Sequence, residues 1–270
     1  MEKTEQKLPP ILSSCYFNVS RSGEQFVREH VLSCQVAGTL TVNDGKKDFV
    51  FNPGEFRFVR RNQLAKFVKT PPPGGEFRSL SIRLDQDMLQ AISVEYGFTA
   101  SKQAPCIDPV VNLPADPLFK AFMTSLDPYL QLPGTQNAAL LDLKVKEAVL
   151  LLLRIQPALK NTLFDFSDPG KIDLEAFMNR NFHFNVELKR FAYLTGRSLA
   201  TFKRDFEKIF HTSPSRWLLQ KRLQEAYYLI TEKGRKPSDV YLDLGFEDLS
   251  HFSFAFKNAF GAAPSRISQA

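Results

Sequence analysis

One pattern that occurs twice constrains this chain more than anything else in it. Residues 202–216 read FKRDFEKIFHTSPSR, and residues 252–266 read FSFAFKNAFGAAPSR. Phe202, Phe206, Phe210, Pro214, Ser215 and Arg216 recur as Phe252, Phe256, Phe260, Pro264, Ser265 and Arg266, always fifty positions later. Coincidences at a single offset mark an internal repeat. Phenylalanines four apart share one face of a helix. Each triad is therefore expected to be a buried stripe, which leaves function to the opposite face and to what precedes each helix.

A shorter helical pattern and a glycine precede each striped helix. The first is NVELKRFAYLTGRS, with Asn185 as the expected N-cap, Gly196 at the break and Ser198 capping the next helix. The second is PSDVYLDLGFED, with Gly245 at the break and Asp248 as the next N-cap. Helix, tight turn and longer helix is the helix-turn-helix pattern, whose second helix enters the DNA major groove. One helix joins the two copies, from Pro214 to about Ile230, with Ser213 as its cap and Pro214 at its first position. At 1.5 Å per residue it spans roughly 25 Å, a reach suited to recognition helices in successive major grooves.

Residues 165–270 resemble the DNA-binding domain of AraC/XylS-type transcriptional regulators. The resemblance rests on SPSRWLLQKRLQEAYYLI and GFEDLSHFSFAFKNAFGAAPSR, including Phe206, Ser213, Pro214, Arg222, Ala226, Gly245, Phe246, Asp248, Phe252, Phe256 and Lys257. Three positions depart from the family pattern. His211 replaces a glycine, Tyr241 a small alanine, and Phe254 a DNA-facing arginine. The first two imply local repacking. The third weakens polar reading by the second motif.

On the first recognition helix Ala200, Lys203, Arg204 and Glu207 point away from or flank the Phe stripe. The resemblance also puts Lys203 and Arg204 on DNA-facing positions. Arginine takes guanine O6 and N7 with two donors, while lysine serves a phosphate or a guanine acceptor. The corresponding positions of the second helix are Leu249, Ser250, Ser253 and Phe254, suited to thymine methyls or single hydrogen bonds. Lys257 and the helix N-termini can hold phosphates. Arg190, Arg197, Arg216 and Arg266 are further phosphate candidates.

Charge permits this reading without establishing it. The chain has 35 Lys and Arg against 29 Asp and Glu, a net of +6, and a basic solvated face is the commoner source of such an excess. Cys15, Cys34 and Cys106 are odd in number and lack CxxC spacing, so neither a disulfide scaffold nor a zinc site is expected. The polar start MEKTEQKLPP lacks the apolar region of a signal peptide, and the aliphatic run Ala148–Leu153 is too short to span a bilayer. A cytoplasmic protein without membrane attachment is the expectation.

Residues 11–84 read as short strands. VLSCQVAGTLTV leads through the turn NDGK to KDFVF. FRFVRR sets Phe56 and Phe58 opposite to Arg57, and FRSLSIRL puts Leu80, Ile82 and Leu84 on one face. Many short antiparallel strands suggest a small barrel or jelly roll. The stretch resembles the cupin-like sensor barrel often placed ahead of the AraC-type domain. Metal-binding cupins need clustered histidines, and His30 stands alone before residue 183. No metal, no cofactor and no catalytic residue is expected, and no ligand-binding residue can be named.

Residues 115–160 read as helical. Leu118, Phe122 and Leu126 share a face, ending near Pro133–Gly134. Leu141, Val145, Ala148, Leu152 and Ile155 then follow a 4-3-4-3 spacing, the seam of a paired coil. Two readings stand. The seam packs on its own barrel, or it joins two copies. Leu150, Leu151 and Leu153 widen the apolar surface, which favours contact with a second body. FDFSDPG at 164–170 reads as a linker.

The expected whole is an α+β chain: a cupin-like barrel sensor at 1–112, a helical linker and dimerisation segment at 113–164, and a double helix-turn-helix domain at 165–270. Its expected work is sequence-specific binding of double-stranded DNA as a transcriptional regulator controlled through the barrel. The partners implied are DNA, RNA polymerase, a second copy of the chain and an effector that is a small molecule or a protein. A protein-controlled regulator is the first alternative and a barrel enzyme fused to a DNA-binding domain the second. No Ser/His/Asp spacing, phosphate-cradling loop or metal cluster supports the enzyme.

Overall fold

The structure is a computed structural model that describes residues 9–21, 25–101, 107–130 and 138–267. Cys106 and the expected stop at Pro133–Gly134 lie outside these residues. The chain divides into two compact units. The first holds the N-terminal strand with 27–63 and 67–167. The second holds 168–270 with residues 25, 26 and 64–66.

The N-terminal part of the chain opens on strands β1 (Ile11–Tyr16), β2 (Phe26–Val27), β3 (His30–Ala37), β4 (Thr39–Asn43) and β5 (Asp48–Phe51). It continues with β6 (Phe56–Val59), β7 (Gln63–Leu64), β8 (Lys66–Thr70), β9 (Phe77–Leu84) and β10 (Val110–Leu113). The run read as VLSCQVAGTLTV is two strands. Gly38 breaks it at φ +73°, where a side chain would meet the Thr70 carbonyl at 2.6 Å. The NDGK turn forms as expected: Asn43 Nδ2 donates to Asp48 Oδ1 at 2.7 Å, and the Gly45 amide donates to Asn43 Oδ1.

The strands form a five-stranded sheet ordered β1-β9-β3-β6-β10, a two-stranded β2-β7 sheet and a three-stranded β5-β4-β8 sheet. The α+β class holds, but these sheets are not closed into one barrel. Strand alternation sorts the five-stranded sheet. Leu32 and Cys34, Phe56 and Phe58, and Leu80, Ile82 and Leu84 face one apolar core. His30 is buried beside it, stacked on Phe58 at 5.3 Å. Its Nδ1 accepts from the Arg61 amide, and burial, aided by the Arg61 and Arg60 cations, pushes its pKa down to about 3. It is a packed, neutral side chain.

Helices cover that core. α1 (Gln86–Tyr96) was not expected from periodicity. Asp85 caps it by accepting from the Met88 amide, and Gly97 ends it at φ +67°. α2 (Pro117–Thr124) buries Phe119, Phe122 and Met123, while Leu118 is partly exposed. The expected Leu118 face is therefore corrected by one residue, because Asp116 and Pro117 fix where the helix starts. α3 (Asp127–Leu130) is short. α4 (Ala138–Ile155) buries Leu141, Val145, Ala148, Val149 and Leu152 in the same core, with Ile155 packed against it. After a 3-10 turn at Pro157–Leu159 and α5 (Lys160–Leu163), Phe164 is buried in the same core and Phe166 packs against it.

The second unit is helical: α6 (Leu174–Asn181), α7 (Leu188–Leu194), α8 (Leu199–Phe210), α9 (Pro214–Thr231), α10 (Pro237–Asp243), α11 (Leu249–Phe260) and α12 (Pro264–Ile267). It has two apolar cores that share α9. Leu218 belongs to the first, with Phe191, Phe202 and Phe206. Leu223, Ala226 and Ile230 belong to the second, with Val240, Phe252 and Phe256. Each fully buried Phe contributes about 1.5–3 kcal/mol through lost water contact. The repeated stripe is thus core in both copies. Among the described residues, no helix is long and apolar enough to cross a membrane, and no three His, Cys, Asp or Glu side chains are grouped to hold a metal.

Candidate nucleic-acid interface

Each motif turns at a glycine held close to another backbone. Gly196 has φ +65°, and a side chain there would meet the Gly170 carbonyl carbon at 2.4 Å. Gly245 has φ +82°, and a side chain would meet the His183 carbonyl at 2.8 Å. Only glycine combines a left-handed turn with such approach. Both recognition helices then start on a side-chain cap. Ser198 Oγ accepts from the Thr201 amide at 3.2 Å, and Asp248 Oδ1 from the His251 amide at 2.6 Å.

The helix ends also correspond. Gly261 closes α11 in the left-handed region at φ +80°, and His211 closes α8 there at φ +54°. His211 thus adopts the glycine conformation rather than repacking the turn. Two expected caps differ. α7 starts at Leu188 with Glu187 as N-cap, and Asn185 instead donates to Glu247 Oε1 at 3.2 Å. Ser213 sits at the N-cap of α9 without a side-chain cap bond.

The outward faces follow the fifty-residue offset. On α8, Ala200, Lys203, Arg204 and Glu207 are exposed, and the Arg204 side chain is 67% accessible. On α11, Leu249, Ser250, Phe254 and Lys257 are exposed and Ser253 is half-buried. Phe254 is 67% exposed, so its ring is not core in this unit. The same offset pairs Thr201 with the exposed His251, a polar position in the first turn of each recognition helix that residue-type reading passed over.

Arg197 is corrected. It was a phosphate candidate, but its side chain is only 11% accessible. Its Nε donates to Asp205 Oδ2 at 3.1 Å, and its Nη1 donates to the carbonyls of Ile172 and Thr195. The Arg197 bond holds the Asp205 carboxyl below the usual range. Arg197 therefore fastens the turn of the first motif to the start of the unit. Arg216 and Arg266 are exposed.

Arg222 has the matching task in the second motif. Its guanidinium donates to the carbonyls of Phe182, Phe184 and Gly245 at 2.8, 2.8 and 2.9 Å. Burial lowers its pKa to about 10. Two helices with exposed donor-bearing or apolar faces, each behind a glycine turn and fastened by an arginine, can present side chains to base edges and amides to phosphates.

Comparison with known proteins agrees. Residues 191–270 match the family described as a helix-turn-helix domain, and residues 30–162 match the ExsA N-terminal regulatory domain. The chain is an AraC/XylS-type transcriptional regulator. This regulator is 27% identical over 263 residues to the HTH-type transcriptional regulator ExsA of Pseudomonas aeruginosa, covering 96% of this chain and 92% of that one. It is 28% identical over 243 residues to the thermoregulatory protein LcrF of Yersinia pestis, covering 85% of each. A ToxT structure from Vibrio cholerae aligns over 96% of this chain and 98% of its own at TM-score 0.41 and 12% identity. The relatives regulate transcription, and this AraC/XylS-type chain is a regulator rather than an enzyme.

Proposed function

We propose that residues 165–270 read a two-part DNA site, with α8 and α11 in successive major grooves. Lys203 and Arg204 supply the polar reading of one part. Leu249, Ser250, Ser253 and Phe254 make mainly apolar contacts at the other, and Lys257 takes phosphate with Ala200 allowing close approach of α8. The observation that carries this reading is the fifty-residue repeat with both outward faces exposed. The experiment is selection from random duplexes with the whole protein, followed by titration of the enriched site in salt. A two-part motif and an affinity falling steeply with salt are expected, because each phosphate contact releases counterions. Enrichment of no sequence is the result that removes the reading.

The reading extends to partners. Residues 1–112 act as the sensor of an effector, residues 113–164 support a homodimer, and the DNA-bound protein works on RNA polymerase in the cytoplasm. The match of residues 30–162 to a regulatory domain supports control through the first unit. For the dimer, Leu141, Val145, Ala148 and Leu152 are unavailable because they fill their own core. The outward stripe of α4 is the alternative surface: Leu140 and Leu143 are 46% and 61% exposed. Large exposed leucines on an otherwise amphipathic helix fit a self-association face.

A further inference from the structure

The five-stranded sheet has a second face, and it is polar although buried. Cross-strand register puts Arg57 of β6 beside Ser33 of β3, and Ser33 beside Ser81 of β9. The next row pairs Gln35 with Ser79. Ser33, Gln35, Arg57 and Ser79 are all buried, and Arg57 is only 4% exposed. Phe51 of β5 lies across the guanidinium, 5.4 Å from ring centroid to charge centre.

Arg57 lacks an acidic partner among the described residues. Its hydrogen bond there runs from Nη1 to Gln35 Oε1, a neutral acceptor at a long 3.3 Å. The other end of Gln35 is engaged, since its Nε2 donates to the carbonyls of Ala37 and Arg78. Ser33 and Ser81 hydroxyls bond each other at 3.0 Å. The Nε–Nη2 edge of the guanidinium therefore has no acceptor among the described residues. That edge is the planar fork that matches a carboxylate or phosphoryl group with two parallel hydrogen bonds. A buried charge is costly unless paired, and an apolar residue of the same volume would fill this position without that cost. Burial lowers the Arg57 pKa to about 10, still above neutral pH, so the group is charged.

We propose that this inner sheet face is a binding site for a small organic anion, with Arg57 receiving its carboxylate or phosphoryl group and the Ser33–Ser81 hydroxyls bonding its polar substituents. Charge complementarity selects the anion, and the enclosed position selects a compact one. The proposal deepens the reading of the first unit as a sensor and rests on that reading only for its regulatory meaning.

The test uses the full chain. Unfolding is followed by calorimetry while sodium acetate or sodium phosphate replaces sodium chloride at fixed ionic strength. A saturable rise in melting temperature with one of the two is expected, and which one identifies the acidic group. In Arg57→Met the apparent Kd should weaken tenfold or more, with partial retention in Arg57→Lys. Arg204→Ala should keep the full rise, which separates this site from the DNA face. Without added anion, Arg57→Met should melt at or above the parent. No saturable rise with either anion overturns the proposal, as does an equal rise in Arg57→Met. An anion-free Arg57→Met that melts well below the parent also overturns it, because Arg57 would then be a structural residue. DNA affinity measured with and without the bound anion separates the two claims. Binding that leaves DNA affinity unchanged keeps the site and removes the sensor reading.

Discussion

Arg222 donates to the carbonyl of Gly245 at 2.9 Å, and a side chain at residue 245 would stand 3.1 Å from the Arg222 guanidinium carbon. The joining helix and the second turn therefore hold each other in place. Arg222→Met should leave three carbonyls without their donor, costing about 2–4 kcal/mol. Arg222→Lys should recover little, since one ammonium cannot match a fork. Gly245→Ala should cost about 1–3 kcal/mol through its positive φ and the close His183 carbonyl. Urea unfolding followed at Trp217, the chain's single tryptophan, reads each change in the second unit.

The left-handed caps give a prediction of opposite sign. His211 occupies φ +54° where its counterpart is Gly261. His211→Gly should raise stability by up to about 1 kcal/mol, and Gly261→Ala should lower it by about as much. His211 is exposed, so little packing is lost. A drop in the urea midpoint of His211→Gly would show that its side chain contributes more than the backbone relief.

The second unit should also lose stability in mild acid. Burial, with nearby cations, pushes the His183 pKa down to about 4 from an ordinary 6.5. The unfolded residue takes up a proton below about pH 6.5, while the folded one stays neutral until about pH 4. Stability is thus full above pH 6.5 and falls through that window by about 1.4 kcal/mol per pH unit at most. His211 and His251 are exposed, and His30 belongs to the first unit. His183→Gln should flatten the Trp217-monitored slope between pH 4 and 6.5, and an unchanged slope would assign it elsewhere.

The two sides of α4 separate folding from assembly. Leu152 is fully buried, so Leu152→Glu should place a charge in the core and unfold the first unit, at a cost of about 4 kcal/mol or more. Leu143 points outward, so Leu143→Glu should keep the melting temperature and, by light scattering, yield a monomer. A dimer that survives Leu143→Glu means that another surface pairs the subunits.

What could be read from sequence follows from the range of the forces involved. The Phe stripe, the Ser198 and Asp248 caps and the Gly196 and Gly245 turns are local, set by neighbours within one helical turn, and a repeat supplies each twice. The role of Arg197 is not local. Its partner carbonyl at Ile172 lies 25 residues away, brought in because the chain at Gly170 crosses the Gly196 turn. Alternation gave the side of the sheet that Arg57 takes, but not that this side would be covered. Periodicity likewise found the α4 seam without saying which body fills it, and the leucines at 140–143 and 150–153 widen the apolar face enough to fit either.

The last prediction concerns unequal reading by the two motifs. Arg204 is exposed on α8, whereas its counterpart Phe254 is exposed on α11 and carries no donor. Arg204→Ala should relax base preference in one half of the site, costing about 1–3 kcal/mol if the contact is bidentate, and Lys203→Ala should chiefly reduce the salt slope. Ser253→Ala should change affinity by less than about 1 kcal/mol, the size of a neutral hydrogen bond. Phe254→Ala should leave the Trp217-monitored stability unchanged, because little of its ring is buried in this unit. It should lower preference at one thymine-bearing base pair while the salt slope holds, since a methyl contact involves no phosphate. Arg197→Ala should do the reverse: it loses stability through the Asp205, Ile172 and Thr195 bonds while the folded fraction keeps both salt slope and base preference. Full discrimination retained by Arg204→Ala, together with its loss in a folded Phe254→Ala, would place the reading in the second motif instead.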